Sequence, residues 1–581
     1  MDGQAVIVRF SRPEEADGFS LRRTTEYQLS VDGGPRHAFR SPWDDEELEG
    51  IITTLRNESE DRPGEKTLAE IGQQLGASIG EVPGLVGALT PGSGPPKTVY
   101  WSLDYPELAR IPWELASWWE SPYHHIMLTP GIKFVRSVPL FDPGLRTLWP
   151  TGVKKSLGLL FVWGEHDGQN VPHDDHEQAL AQACENSGVS MKTAEVATVA
   201  QLTELYESGR YDFVHILAHG ARDAGGEWGL RLSQDIASGT QVARALRTGR
   251  TAPAMVTVAA CDSGNETDNR FSSVAYQLHA HGVPMVLASQ FRLRKSASTL
   301  SVSRVYEGLL AGRHPLDVVE SVRDQLSPSD TEAWANEVVY TSFTLDELDH
   351  GAKVAQQQGA LRRARVLAKK FTGAPSEQGA AEEAKRELRA QILLLQELAD
   401  DGFDPGETYG LLGSMQRRIA YIGTADSEGP DEEALLDARD FYEQGLRADM
   451  NSHYCGINAL HLSWLTDDRE KVAQLSPIVD YAVEAALERP DADFWVHASA
   501  GEAKVYLGKP AAAVDHYRSF VRANRKGRDP AQQEENLASA RRQLAQVIEG
   551  LERLGPDPDS RTVSTAASQA AAVLDSALAR L

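Results

Sequence analysis

The chain has 581 residues, 41% of them hydrophobic and 24% charged, with 58 Lys and Arg against 84 Asp and Glu for a formal net charge of −26. That length holds about three to four domains' worth of chain, and the acidity excludes a large phosphate-tracking surface, so no nucleic acid is expected as a direct partner. Three cysteines, Cys184, Cys261 and Cys455, argue for free thiols in a reducing compartment rather than a disulfide framework. No window is apolar enough to cross a bilayer, and the N-terminus runs directly into Ala5-Val6-Ile7-Val8 without a basic and apolar leader, so a cytoplasmic protein with no membrane partner is expected.

Residues 1–150 carry strand signals at Ala5–Phe10 and in the alternation of Tyr27, Leu29 and Val31. Helical patterns follow near Asp45–Leu55 and Leu68–Leu75, and Thr90-Pro91-Gly92-Ser93-Gly94-Pro95-Pro96 reads as a loop. This segment contains no cysteine.

Residues 151–350 alternate strand and helix. Strand Leu157–Trp163 precedes a helix through Leu180 and Cys184, for which Asp174 or Asp175 is the expected cap. Strand Met191–Val196, helix Gln201–Ser208, strand Phe213–Leu217 and a helix near Gln241–Arg247 come next. Then follow strand Met255–Ala259, helix Val274–His281, strand Pro284–Ser289 and a long helix Ser298–Leu310. Such alternation predicts a mostly parallel sheet flanked by helices.

Residues 351–581 lose the β signal. Ser376–Glu382 reads as a polar linker. Gly501, Ala513, Tyr517 and Phe520 have the small-residue and aromatic spacing of a tetratricopeptide (TPR) hairpin. Gly413, Ala438, Tyr442 and Leu446 read as a second, with an insertion around Asp426–Asp431, and Tyr454–Trp464 as the start of another. Val563–Leu581 is a candidate capping helix, because stacked hairpins need neighbours to bury their faces. A generic helical bundle is the plainer reading. Either way the module carries no catalytic residue and offers a surface for a protein partner.

Two strings carry chemistry. Phe213-Val214-His215-Ile216-Leu217-Ala218-His219-Gly220 and Met255-Val256-Thr257-Val258-Ala259-Ala260-Cys261-Asp262-Ser263-Gly264 are buried-type β runs that end in a reactive side chain with glycine close behind. Chemistry in open parallel sheets collects beyond the carboxyl ends of strands. A histidine and a cysteine delivered there form a nucleophile–base pair, because thiolate attacks and imidazole generates it. Taken singly, each residue is more simply a buried core residue.

These strings, in order with Ile111-Pro112-Trp113-Glu114-Leu115, Phe134-Val135-Arg136-Ser137, Leu287-Ala288-Ser289-Gln290-Phe291, Leu309-Leu310-Ala311-Gly312 with Pro315-Leu316, and Trp334 before Val338-Val339-Tyr340, resemble the CHAT family of caspase-like proteases, often joined to TPR repeats. The resemblance implies an α/β caspase-like fold followed by an all-α TPR-like domain. It makes residues 1–150 a degenerate caspase-like half, 151–350 the active half and 351–581 the repeats. It further implies a cysteine endopeptidase without cofactor that cleaves protein or peptide substrates. Cys261 would be the nucleophile and His219 its partner, with backbone N–H groups of Gly220 and Cys261 as oxyanion hole. Asp262 is more simply a turn residue. Gln290, Phe291 and Arg292 fall where caspases line the substrate pocket. Relatives that cleave after basic residues carry an acid two positions before the cysteine, and here that position is Ala259. Bacterial relatives serve in antiphage defence or programmed death. The rival from another class is a catalytically silent scaffold of the same fold that acts as an adaptor.

The His166, Asp167, His173, Asp174, Asp175 and His176 stretch has a metal-binding composition but no ligand spacing, so no metal is expected there. No GxxxxGK[ST] or GxGxxG motif is present, which leaves nucleotide chemistry without support.

Overall fold

The computed structural model describes residues 3–12, 20–56, 65–90, 95–118, 120–140, 157–166, 171–209, 211–222, 228–247, 251–259, 271–290, 295–326, 333–371, 378–423, 429–490, 492–525, 530–554 and 558–580. The chain forms two compact units, Met1–Gly359 and Ala360–Leu581.

In the first unit the chain begins with β1 (Gln4–Ser11), β2 (Glu26–Val31), β3 (His37–Arg40), α1 (Asp45–Arg56), α2 (Glu65–Gly80), α3 (Leu85–Leu89), β4 (Lys97–Ser102) and α4 (Pro106–Ala109). A short ladder of β5 (Ser117–Trp118) and β6 (Ser121–His125) leads to β7 (Ile132–Ser137). The following stretch holds β8 (Gly158–Trp163), α5 (His173–Ser187), β9 (Ser190–Glu195), α6 (Val199–Glu207), β10 (Phe213–Leu217), β11 (His219–Arg222), β12 (Trp228–Arg231) and β13 (Ile236–Ser238). Next come α7 (Gly239–Ala245), β14 (Met255–Ala259), α8 (Phe271–Ala280), β15 (Met285–Ser289), α9 (Lys295–Leu310), α10 (Pro315–Leu326), α11 (Ala333–Asn336) and β16 (Glu337–Thr341).

Eleven strands make one sheet in the order β3-β2-β1-β4-β7-β16-β15-β14-β10-β8-β9. Most neighbours are parallel; β1–β2, β2–β3 and β15–β16 are antiparallel. The segments before and after residue 150 thus share one sheet, joined where β7 meets β16, and one hydrophobic core. Every residue of β10, β14, β15 and β16 is buried, as strands covered on both faces require. Edge strand β9 has no fully buried residue.

Local chemistry sets the helix ends. Asp44 and Glu47 cap each other's backbone N–H groups at the start of α1 (3.0 Å each). At α5 the expectation of an aspartate cap is corrected: Pro172 is the N-cap, and Asp174 and Asp175 lie in the first turn, where carboxylates favour the positive end of the helix dipole.

Helix α12 (Leu345–Phe371) runs through the boundary between the units. The second unit continues with α13 (Gln378–Asp400), α14 (Pro405–Tyr421), α15 (Glu432–Ala448), α16 (His453–Leu465), α17 (Arg469–Leu487), α18 (Trp495–Tyr506), α19 (Pro510–Asn524), α20 (Pro530–Leu554) and α21 (Pro558–Leu578). Residues 378–382, read as linker, instead open α13: alanine and glutamate are good helix formers, and Ala381 and Ala384 are buried. The hairpin spacing has a packing cause. A Cβ on Gly501 would stand 2.7 Å from the buried Tyr517 ring, and one on Gly413 would stand 2.8 Å from Tyr442. Each glycine lets its aromatic partner lie against the helix backbone, as the close pairing of α18 with α19 and α14 with α15 demands.

Candidate functional site

The site is built where the sheet reverses its winding. From β8 the chain passes outward to β9, returns to β10 beside β8, and continues the other way to β14 and β15. Ligand crevices of open α/β sheets lie at the carboxyl ends of strands at such a switch. β10 and β14 are parallel partners in the register Phe213↔Met255 through Leu217↔Ala259. The Ala218 N–H donates to the Ala259 carbonyl at 3.3 Å, which carries the pairing one residue further.

His219 follows immediately. It opens β11, leaves the main sheet and pairs with β12, opposite Arg231, while Gly220 stands opposite Leu230. The His219 side chain is buried, 6% exposed. β12 crosses close over the end of β8: a Cβ on Gly164 would come 2.5 Å from the Arg231 carbonyl, and the Gly164 N–H donates to Leu217 at 3.0 Å. Only glycine fits there. Sequence reasoning missed both Gly164 and Arg231, and nothing in their local pattern marks them.

The hairpin that carries His219 is tied back to the following elements. β13 ends at Ser238, whose side chain and that of Gln241 form a capping box at α7. The Thr240 N–H donates to Oε1 of Gln277 in α8 at 3.3 Å. Cys261, Asp262, Ser263 and Gly264 lie outside the described residues, as do Phe291 and Arg292.

Gln290 is described, and its side chain is engaged inside the protein. Its Nε2 donates to the Ala335 carbonyl at 2.6 Å and to Oε2 of Glu114 at 3.1 Å, and its Oε1 accepts from Arg136 at 3.3 Å. Arg136 and Glu114 are the centre of this cluster, a fully buried ion pair with Nε 2.9 Å from Oε1. Arg136 also donates to the carbonyls of Ala109 (2.7 Å) and Ile111 (3.1 Å) and to the Tyr340 hydroxyl (3.4 Å). Burial opposes its charge, but the Glu114 carboxylate outweighs this and the Arg136 pKa is raised above normal. The four motifs around Glu114, Arg136, Gln290 and Tyr340 are thereby one polar knot across β7, β15 and β16. The Gln290 amide thereby holds the end of β15 in place.

The other histidines near β10 are likewise engaged. His176 Nδ1 and His215 Nε2 are 3.0 Å apart, and His176 Nε2 lies 3.0 Å from Ser298 Oγ. Burial lowers the His176 pKa to about 4 and pulls His215 well below its ordinary value, so both are neutral in the fold. His173 stacks on Trp163 and bonds Glu165 at 2.7 Å. Among the described residues no group of three or more side chains is placed to hold a metal ion, and no helix is long and apolar enough to cross a membrane.

A mostly parallel sheet flanked by helices, followed in the chain by an all-helical unit, defines the class: a caspase-like fold followed by helical repeats. A family model for the CHAT domain, a caspase-like family, matches residues 69–369, and since this is more than half of the 581 residues the chain belongs to that family. A model described as Tetratricopeptide Repeats-Sensor matches residues 330–463. No curated protein matches the chain.

Proposed function

We propose that this chain is a cysteine endopeptidase whose dyad is His219 and Cys261. One observation carries the reading: Leu217 and Ala259 are register partners, and each stands two residues before its candidate catalytic side chain. Two residues of chain span at most about 7 Å, which supports a pairing of the two side chains at one sheet edge.

The Cys261 thiolate attacks the scissile carbonyl carbon, forming a C–S bond as the carbonyl electron pair moves to oxygen. That oxyanion accepts from the N–H groups of Gly220 and Cys261. His219, protonated when it takes the thiol proton, gives that proton to the leaving nitrogen as the C–N bond breaks. Water, deprotonated by His219, then attacks the thioester, releases the acid product and restores the thiol. Ala259 supplies no acid for a basic substrate residue, so specificity rests elsewhere, with Phe291 and Arg292 as candidates.

The helical unit docks a protein partner that sets when the peptidase works, a regulated response such as defence or programmed death being the family precedent. The deciding experiment is labelling by a peptide carrying a thiol-reactive electrophile. Labelling of the native chain and none of Cys261→Ala supports the dyad. Equal labelling of both, or none of either, favours the silent adaptor.

A further inference from the structure

The second unit holds a face that nothing above uses. Helices α14, α16 and α18, the first members of three successive hairpins, all touch α20. Gln543 of α20 donates to Glu502 of α18 at 3.0 Å. Gln546, three residues on, accepts from Arg417 of α14 at 2.9 Å, lies 3.3 Å from Nε2 of His461 of α16, and donates to the Tyr421 hydroxyl at 3.4 Å. Leu537, Ala540, Leu544 and Val547 make a buried stripe along α20 at helical spacing, and the helix packs along α21 as well as against α16. The common face of the three hairpins therefore accommodates an amphipathic helix, the geometry of helix-in-groove recognition.

The resident helix leaves a charge of this face without a counter-charge. Arg417 bonds only neutral groups: Asn458 (3.1 Å), His461 (3.4 Å) and Gln546. Among the described residues no carboxylate is within ion-pair distance of Arg417. In a chain with 84 acidic residues, other cations of this unit have found them: Arg363 pairs with Glu387, Arg439 with Asp468, and Lys504 with Asp480 and Glu484. Guanidinium prefers a carboxylate, which it grips with two charge-assisted hydrogen bonds.

We propose that this face is a receptor for an acidic helical segment of a partner protein, which replaces α20 and sets a carboxylate against Arg417. Glu502, fixed at the far end beside His461 (3.4 Å), defines the polarity of the ligand. The partner helix carries a donor, Lys or Gln, facing Glu502 and a Glu or Asp three residues later facing Arg417, as Gln543 and Gln546 do now. The inference deepens the reading that a protein partner docks on the helical unit, and it is independent of peptidase chemistry.

The test measures fluorescence anisotropy with the full chain and two labelled peptides of sequence 530–554, one native and one with Gln546→Glu. The Gln546→Glu peptide should bind about 10-fold or more tighter, the range of one charge-assisted contact. Arg417→Gln in the chain should erase the difference. Gln546→Glu built into the chain should strengthen the resident helix and weaken peptide binding about 10-fold. Equal affinity of the two peptides, indifference to Arg417, or no binding overturns the proposal. Displacement of the acidic peptide by millimolar inorganic phosphate as effectively as by unlabelled peptide reassigns Arg417 to a small anion and overturns it as well. Should Arg417→Gln not fold, the two peptides on the native chain decide. No readout involves peptide-bond cleavage, so a failed dyad leaves this result standing and the reverse.

Discussion

Leu217 and Ala259 lie side by side at the ends of two wholly buried parallel strands, and the next residue, Ala218, still bonds across to Ala259. Beyond that point the chain of β10 turns out of the sheet to present His219 opposite Arg231. A rigid sheet edge, not a free loop, therefore sets where the histidine begins.

The dyad predicts that Cys261→Ala abolishes peptide cleavage and that His219→Ala lowers it at least about 1,000-fold, the scale seen when one member of a catalytic set is removed. Both variants should keep the native far-UV circular dichroism. Cleavage by purified Cys261→Ala would refute the assignment.

Alkylation should be selective. Cys184 and Cys455 are buried, and burial pushes both thiols up to about 12, which leaves almost no thiolate at pH 8. Iodoacetamide on the native chain should modify Cys261 alone, with the other two labelled only after denaturation, as read by peptide mass spectrometry. Inactivation traced to Cys184 or Cys455 would place the site elsewhere.

The buried knot predicts a stability hierarchy. Glu114→Ala leaves the Arg136 charge uncompensated in the core and should cost about 3–5 kcal/mol. Gln290→Leu removes hydrogen bonds without stranding a full charge and should cost about 1–3 kcal/mol. Urea unfolding followed by tryptophan fluorescence distinguishes them; equal losses would mean that the ion pair is not the centre.

Two glycine substitutions should move in opposite directions. Gly50, inside α1 with nothing within 4 Å of its would-be Cβ, should gain about 0.5–1 kcal/mol as alanine. Gly501→Ala should lose about 1–3 kcal/mol, because overpacking against Tyr517 exceeds the same propensity gain. Thermal melts of the two variants check the signs.

Acid should weaken the first unit before its carboxylates matter. His176 is neutral in the fold down to about pH 4, whereas the unfolded chain protonates it below about 6.5. The unfolded state then binds more protons, so stability is complete above pH 6.5 and falls as pH drops toward 4. Between pH 6.5 and 5 the loss should be about 1–2 kcal/mol for this histidine. His176→Gln should flatten that slope in urea titrations at pH 7 and pH 5. An unchanged slope would show that the pair does not titrate with unfolding.

Much of the architecture was legible because the periodicities are strong. β10, β14 and β15 read as short apolar runs, and α1, α6 and α9 fall where helical spacing put them, within a few residues at each end. Ends were less legible: Pro172 rather than an aspartate begins α5, and α13 begins inside the supposed linker. Composition does not rank a helix against a linker when both favour alanine and glutamate; the burial of Ala381 and Ala384 does.

By itself the sequence determined the alternation of strand and helix, the change to helices alone after about residue 355, and the spacing of Gly501 and Tyr517, because these follow from side-chain period and size along the chain. Tertiary structure alone decided that the segments on either side of residue 150 share a sheet, that Gln290 serves the Arg136–Glu114 pair, and that α20 lies against Arg417. Those relations join residues 129 to 204 positions apart. No local pattern encodes them, since a buried charge finds its partner only when the whole sheet or helical stack has closed around it.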